Sequence, residues 1–309
     1  MAKPSKGVST APSEPPPVAG CAGEAGARSG TSESDVAFVR LAPGHRLAAY
    51  GHLLRAQIKG QAQYRASFAI DLAGSVAFGV LDLVTVFVLF RVSRTLAGFV
   101  FAEVFLMTAL ASMAFALADL LVGNVERLSF YVRTGLFDAV LVRPLGALPQ
   151  LLAMDVAPRR VGRVAFGMAI LGAAAVYAGV APTPARLALL VAAPIAGAVI
   201  FGAVFVATAT VAFWWIDSGE LGNGLTYGGH DFAAYPVTAY GALMRRLLAY
   251  GLGFAFVAYY PALALLGRAD PLGAPAHLGY AAPLIALAAA AVAGLLWRTG
   301  LRHYRSTGS

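Results

Sequence analysis

The chain has 309 residues, of which 59% are hydrophobic and only 12% are charged, and its net charge is +8. Because soluble domains carry about 25% charged residues, this composition excludes an ordinary soluble enzyme and predicts an integral membrane protein. No soluble domain remains to use the basic charge for nucleic-acid binding, so we also expect no nucleic-acid partner.

The N-terminal residues, 1 to 40, are rich in Pro, Ser, Gly, Ala and Glu. Such a segment buries too little apolar surface to fold, so we predict a disordered cytoplasmic tail that lacks the apolar core of a signal peptide. The single cysteine, Cys21, lies in this tail, which excludes an intrachain disulfide and a CxxC redox motif. Residues 41 to 309 form the predicted membrane domain.

Residues 46 to 65 precede the first apolar run and have the pattern of an amphipathic helix. Leu47, Tyr50, Leu54 and Ile58 fall on one helical stripe, whereas the basic side chains lie elsewhere. This pattern predicts an N-terminal amphipathic helix in the membrane interface. The alternative is a plain cytoplasmic extension of the first span.

Six apolar runs are long enough to cross a bilayer, since a hydrocarbon core of about 30 Å needs roughly 20 helical residues. They are 66 to 90, 100 to 122, 161 to 181, 187 to 213, 247 to 266 and 280 to 297. The runs are continuously apolar, whereas the strands of a membrane barrel alternate. We therefore predict an all-α membrane protein with six transmembrane helices.

The basic side chains are distributed unevenly between the two sides of these spans. With a cytoplasmic N-terminus, the outer side receives only Arg91, Arg94, Arg186 and Arg268 of the 23 Lys and Arg residues. Cytoplasmic loops are enriched in such residues, so both termini are predicted to be cytoplasmic. Anionic lipid then accounts for the net positive charge.

The largest predicted cytoplasmic loop contains the stretch LSFYVRTGLFDAVLVRPLGALPQ, residues 128 to 150. If its first part is one helix, the apolar face contains Leu128, Tyr131, Val132, Leu136 and Val140. The outward face then contains Phe130, Arg133, Thr134, Phe137, Asp138 and Leu141. Aromatic side chains mixed with charged ones are typical of a protein contact, and Pro144 should end the helix. A helix that only connects two spans is the alternative.

A second cytoplasmic loop is predicted at 214 to 246, with two Trp residues at the membrane boundary followed by irregular, Gly-rich chain. Asp217, Glu220, His230 and Asp231 lie in it, but their spacing fits no known metal or phosphate site. We predict that they are turn and cap residues and that the chain has no metal site.

Four carboxylates fall inside the predicted spans, Asp71 and Asp82 in the first and Glu103 and Asp119 in the second. Acids within a membrane are costly and mark functional sites, so all four are candidates for a substrate pathway. Asp71 and Asp82 lie about three helical turns apart, on nearly the same face, and no Lys or Arg lies in the middle of a span to pair with Asp82. Hydrogen bonding within the helix bundle is the alternative role.

The sequence contains no motif for ATP hydrolysis or other catalysis. A P-loop needs Gly-x-x-x-x-Gly-Lys, whereas Lys3, Lys6 and Lys59 have no such context. Neither His-Glu-x-x-His nor Gly-x-Ser-x-Gly occurs. We therefore predict that the chain is not an enzyme and has no catalytic residues.

Five stretches carry a resemblance: YRASFAIDLAGSVAFGVLDLVTVFVLFR (64 to 91), NVERLSFYVRTGLFDAVLVRPL (124 to 145), GGHDFAAYPVTAY (228 to 240), FAFVAYYPALALLGR (254 to 268) and GLRHYRSTGS (300 to 309). Together they resemble the ABC-2 class of ABC transporter permeases, specifically a six-span, viologen-exporter-like subfamily. The most specific part is Arg133-Thr134-Gly135 with Asp138 and Arg143-Pro144. One departure is Tyr240-Gly241, where a second aromatic–proline pair is expected.

The resemblance implies the ABC-2 exporter permease fold and one permease subunit of an ATP-driven exporter in the bacterial cytoplasmic membrane. ATP and Mg would bind a separate dimer of ATPase subunits, so no cofactor is expected in this chain. A second ABC-2 permease chain would complete the pathway, as a heterodimer rather than a homodimer. Contact with the ATPase is expected from residues 124 to 144, through Phe130, Arg133, Phe137, Asp138 and Arg143.

The intramembrane acids would suit a cationic or amphipathic toxic cargo. An ATP-independent secondary transporter or channel is the alternative function, and it would be expected to contain an inverted repeat with broken helices. Pro194 and Pro261 lie inside predicted spans, but no repeat is evident. A membrane scaffold or sensor that transports nothing is the third reading.

Overall fold

The computed structural model describes residues 65–143, 146–154 and 158–304, and within these ranges the protein is helical with one isolated β-bridge between Leu96 and Phe99. The predicted tail and the predicted interfacial helix at 46 to 65 lie outside the described residues, apart from Arg65. Pro144, the predicted helix terminator, also lies outside them.

Six helices are long: α1 (Arg65–Val92), α2 (Phe101–Val122), α6 (Pro158–Tyr177), α7 (Pro184–Thr210), α8 (Gly219–Ala234) and α11 (Ala282–His303). The short helices are α3 (Leu128–Arg133), α4 (Leu136–Leu141), α5 (Ala147–Ala153), α9 (Ala242–Met244) and α10 (Tyr259–Leu266). A π-helical segment, Arg245–Gly251, continues α9.

Four helical stretches are long and apolar enough to cross a membrane: Phe101–Arg133, Arg160–Tyr177, Pro184–Phe213 and Ala282–His303. They coincide with the predicted runs 100 to 122, 161 to 181, 187 to 213 and 280 to 297. Helix α1 covers the predicted run 66 to 90.

The predicted run 247 to 266 is not one straight helix. Ala242–Gly251 and Phe254–Leu266 are bent by 67° relative to each other, and between them Gly253 has a φ of 79°. A residue with a Cβ rarely adopts this left-handed conformation, so the glycine permits the sharp bend.

The prediction of irregular chain at 214 to 246 is wrong, because Gly219–Ala234 forms helix α8. Three hydrogen bonds follow α8 along α2: Thr226 donates to Glu126, Ser112 pairs with His230, and Thr108 donates to the carbonyl of Ala234. Beyond α8, the Thr238 hydroxyl donates to the carbonyl of Ala97, before α2 begins. The two helices are therefore antiparallel, and the bonded positions of α8, from Thr226 to Ala234, span about 12 Å.

Helix α2 is the centre of the bundle. It contacts α1, α6, α7, α8 and α10, and more than half of its residues are buried. Helix α7 packs between α2 and α11. Small side chains permit these close approaches: a Cβ at Gly197 would lie 2.8 Å from the Ala114 Cβ.

Candidate functional site

A cavity of about 450 Å³ lies between α1, α2, α6 and α8, and we call it the central cavity. Its volume falls within the range of small-molecule sites. Its walls are mainly apolar and aromatic, and Asp82, Ser112, Arg163, His230 and Asp231 supply polar and charged groups. The lining residues are Gly79, Asp82, Leu83, Ala109, Ser112, Phe115, Arg163, Phe166, Gly167, Ile170, Tyr227, His230 and Asp231.

His230 links the polar groups of α2 and α8 in this cavity. Its Nε2 lies 3.4 Å from the Ser112 Oγ, and its Nδ1 lies 3.3 Å from Asp231 Oδ1. The His230 ring also packs against Phe115, with 4.8 Å between the ring centroids. These contacts fix the imidazole beside the Asp231 carboxylate, whose side chain remains exposed on the open side of the cavity.

Asp82 of α1 also lines the central cavity. It is one of the four carboxylates that the sequence predicts along a substrate pathway. Within the part of the chain that the structure describes, its carboxylate forms no hydrogen bond or ion pair, although it is close enough to His230 and Asp231 to interact electrostatically. The structure therefore brings two carboxylates and one imidazole together around one apolar space.

Asp119 is held by two arginines at the end of the cavity nearest α3. Its Oδ1 lies 3.2 Å from the Arg160 Nε, and its Oδ2 accepts a hydrogen bond of 2.7 Å from the Arg163 Nη1. Both arginines come from the start of α6. Gly123 is required beside them, because a Cβ there would overlap the Asp119 carboxylate. These contacts give Asp119 a structural position next to the cavity that Arg163 lines.

Glu103 does not line the central cavity. Its carboxylate accepts a hydrogen bond of 2.9 Å from the Val100 N–H at the start of α2 and forms an ion pair with Arg268. Arg268 also lies over the Phe99 ring and donates to the carbonyl of Gly98. Glu103 thus ties the loop before α2 to the chain after α10. The Asp71 side chain lies outside the described residues.

His230, Asp231, Tyr227 and Arg163 were missed as cavity residues by the sequence reasoning, which assigned the first two to turns and caps. The available signal was the spacing of Gly224, Tyr227, Gly228 and Asp231, which recurs every three or four residues as on one helical face. It was hidden because the segment contains five glycines, which lower the expectation of a helix.

The stretch 128 to 143 is two helices rather than one. Gly135 adopts a φ of 72° between α3 and α4, and this left-handed residue changes the helical phase. Phe137 is consequently fully buried, in contact with Phe213 and Tyr304, so the prediction that it faces outward is wrong. Leu136, predicted on the buried face, is exposed instead.

Eight side chains of this stretch are exposed, and we call them the 128–143 surface: Phe130, Arg133, Thr134, Leu136, Ala139, Leu141, Val142 and Arg143. Phe130 is 56% exposed. Arg133 forms an ion pair with Asp217, just before α8. This surface therefore contains apolar and basic groups and is joined to the helix that lines the central cavity.

Asp138 joins the 128–143 segment to the end of α11. It accepts a hydrogen bond of 2.9 Å from the Tyr304 hydroxyl. Burial, together with this hydrogen bond to a carboxylate, raises the pKa of Tyr304 to about 12. The phenol therefore stays protonated at physiological pH and donates this hydrogen bond. Asp138 thus makes a contact within the protein, between the 128–143 segment and the residue that follows α11.

Among the described residues, no group of three or more His, Cys, Asp or Glu side chains lies close enough together to hold a metal ion. The site geometry thus consists of an apolar cavity with two carboxylates, and the separate, exposed 128–143 surface at one end of the bundle.

The family described as ABC-2 family transporter protein matches residues 76–308. No curated protein and no solved structure matches the chain. The matched range includes the central cavity and the 128–143 surface, and it covers well over half of the sequence. The chain therefore belongs to the ABC-2 family and is a multi-pass permease component of an ABC transporter.

Proposed function

We propose that the chain is one permease subunit of an ATP-driven exporter in the bacterial cytoplasmic membrane, with both termini cytoplasmic. Members of the family generally work with an ATPase subunit. A dimer of ATPase subunits binds ATP and Mg, and a second ABC-2 permease chain, different from this one, completes the translocation pathway. This chain contributes half of that pathway.

The observation that carries the coupling part of the proposal is the exposed 128–143 surface. An exposed phenylalanine beside arginines is typical of a protein contact rather than of a solvated loop. Arg133 contacts Asp217 before α8, and Glu126 contacts Thr226 within α8. A displacement of this surface by the ATPase would therefore act directly on a helix that lines the central cavity.

The proposal includes six membrane crossings, but with a different fifth crossing from the one that hydropathy indicates. Helix α8 runs antiparallel to the apolar helix α2, with Thr226 beside Glu126 just after α2 and Ala234 beside Thr108. It is therefore proposed to cross the membrane together with α2. Arg268 pairs with Glu103 at the same end as Ala97. The bent segment 242 to 266 thus enters from the outer side and returns to it.

The pathway is proposed to follow the exposed face of α8. Asn223, Gly224, Tyr227, Gly228 and Asp231 are all exposed on that helix. A polar face at membrane depth is unfavourable against lipid and normally faces water or protein. This face adjoins the central cavity, and the second permease chain would close it.

The experiment is affinity purification of the tagged full chain from gently solubilised membranes, followed by mass spectrometry. We expect an ATPase and a second permease chain to co-purify. The double variant Phe130→Ala, Arg133→Glu should retain the permease and lose most of the ATPase. A matched control is Arg302→Glu, at an exposed position on α11, which should retain both.

Recovery of the wild-type chain alone, or only with copies of itself, would overturn the proposal. An ATP-independent transporter would then be the next function to test. If the ATPase remained bound to the double variant, the coupling surface would lie elsewhere on the protein.

A further inference from the structure

We infer that the central cavity binds an amphipathic organic cation, and that Asp82 and Asp231 are the residues that recognise its charge. The inference deepens the proposed function and rests on it, because it names the class of cargo and the side chains that select it. It depends on the charge balance of the cavity, its wall chemistry and its position in the bundle.

The charge balance of the cavity is negative although the chain as a whole is basic. Asp82 and Asp231 line it together with one guanidinium, that of Arg163, and one imidazole, that of His230. Arg163 is paired with Asp119 at 2.7 Å, and Arg160 shares the same carboxylate at 3.2 Å. With a neutral imidazole on His230, the two carboxylates of the lining outnumber its one guanidinium.

Asp82 is the more informative of the two acids. Its carboxylate lies on an apolar helix and forms no ion pair with the residues that the structure describes. Burying an unpaired charge is expensive, so a carboxylate placed there is stabilised when a cationic ligand approaches. The Asp119 carboxylate, by contrast, already has two arginine partners and has no need of a ligand.

The walls of the cavity define the rest of the ligand. Phe115, Phe166 and Tyr227 supply three aromatic rings, and Leu83 and Ile170 supply aliphatic surface. Aromatic faces attract organic cations as well as apolar groups. A small hydrated metal ion would leave these walls without contacts, and a neutral apolar compound would leave the carboxylates without a partner. A lipophilic cation satisfies both parts.

The test uses the purified full chain in nanodiscs of neutral phosphatidylcholine, without its ATPase. Equilibrium binding is measured for tetraphenylphosphonium and for tetraphenylborate, two ions of similar size and opposite charge, and binding to empty nanodiscs is subtracted. We expect saturable binding of the cation and none of the anion. Equal binding of both ions would overturn the inference, because it would show partition into apolar surface.

Substitution locates the site. Asp82→Asn and Asp231→Asn should each weaken cation binding by roughly tenfold, the scale of one charge-assisted contact. The matched control Glu220→Gln removes a carboxylate from the same helix α8 at a position outside the central cavity, and it should bind like wild type. Wild-type affinity in both aspartate variants would contradict the assignment of Asp82 and Asp231 as the residues that recognise the cation.

A second measurement does not require the aspartate variants to fold. In a Cys21→Ser background, Ser112→Cys places one thiol in the cavity wall. Tetraphenylphosphonium should slow its reaction with a maleimide, whereas tetraphenylborate should not. Unchanged labelling in the presence of saturating cation would contradict binding at this position.

These outcomes distinguish a failure of this inference from a failure of the proposed function. If the cation binds as expected but no ATPase co-purifies, the site stands and the exporter proposal fails. If the ATPase co-purifies but both ions bind equally or not at all, the exporter proposal stands and the cargo class is wrong.

Discussion

At the scale of single residues, Gly135 determines which side chains of the 128–143 segment face outward. Its φ of 72° places one left-handed residue between α3 and α4. Without it, a continuous helix would expose Phe137 and bury Leu136. With it, Phe137 is buried and Phe130 and Leu136 are exposed. The two phenylalanines therefore have opposite roles, although the sequence pattern assigns both to one face.

We predict that Phe137→Ala destabilises the protein by about 3–5 kcal/mol, the usual cost of truncating a buried phenylalanine. Phe137 contacts Phe213 and Tyr304, so its loss opens a space between the 128–143 segment and the end of α11. Phe130→Ala is the matched control and should change the stability by less than about 1 kcal/mol. Thermal unfolding of both variants in one detergent tests this, and equal stability loss in the two would contradict it.

The sequence allowed the location of the exposed segment to be predicted, but not which of its side chains are exposed. Helical periodicity places residues on faces only while the phase is continuous. A glycine reveals that a left-handed conformation is allowed, not that it is used. For the same reason Arg133 and Phe130 were predicted correctly as exposed, since they precede the break, whereas Phe137 and Leu136 follow it.

At the scale of elements, α8 is the helix that differs most from the sequence-based prediction, which expected an irregular loop in its place. Its glycines have different environments on its two sides. A Cβ at Gly229 would overlap the Phe254 ring, whereas a Cβ at the adjacent Gly228 would meet no atom within 4 Å. Gly229 thus permits close packing of α8 against the bent segment, and Gly228 belongs to the open face.

We predict opposite effects for alanine at these neighbouring positions. Gly229→Ala should destabilise the protein by about 1–3 kcal/mol through overpacking against Phe254. Gly228→Ala should leave stability unchanged or raise it by about 0.5–1 kcal/mol, because alanine favours the helix. The measurement is again the unfolding temperature in detergent. A larger loss for Gly228→Ala than for Gly229→Ala would mean that the two faces of α8 are assigned the wrong way round.

Four of the six predicted spans were recovered as helices that pass the same length and apolarity criteria, because composition alone identifies long apolar helices. Helix α8 was not recognised as a crossing, because glycine and acidic residues lower its hydropathy. Its polar side chains form hydrogen bonds with residues of other helices, such as Ser112 with His230, and these partners are distant in the sequence. His230 and Asp231 reach the central cavity only through that tertiary placement. A method that reads local composition cannot find such a site.

At the scale of the whole molecule, the assignment of α8 as a crossing moves part of the chain to the other side of the membrane. Hydropathy places all of 214 to 246 in the cytoplasm. The antiparallel contacts with α2 instead separate Asp217, beside Arg133, from Thr238, beside Ala97. Arg245 and Arg246 then lie on the outer side. The proposed number of six crossings and the proposed cytoplasmic position of both termini are unchanged by this reassignment.

We predict that residues 217 and 239 are accessible from opposite sides of the membrane. In a Cys21→Ser background, Ala239→Cys should react with a membrane-impermeant maleimide added to intact cells, because Ala239 is exposed just beyond α8. Asp217→Cys should react only after permeabilisation, since Asp217 is exposed at the opposite end of the bundle. Loss of its ion pair with Arg133 should matter little at such an exposed position.

The alternative topology gives a different labelling pattern. If 247 to 266 were the fifth span and 214 to 246 a cytoplasmic loop, both cysteines would be protected in intact cells and both would react after permeabilisation. Arg94→Cys, in the loop between α1 and α2, provides an outer reference because both topologies place it outside. The α8 crossing is supported only if Ala239→Cys is labelled in intact cells together with this reference. The central cavity and the exposed face of α8 would then lie at membrane depth, where Asp82 and Asp231 can contact a cargo.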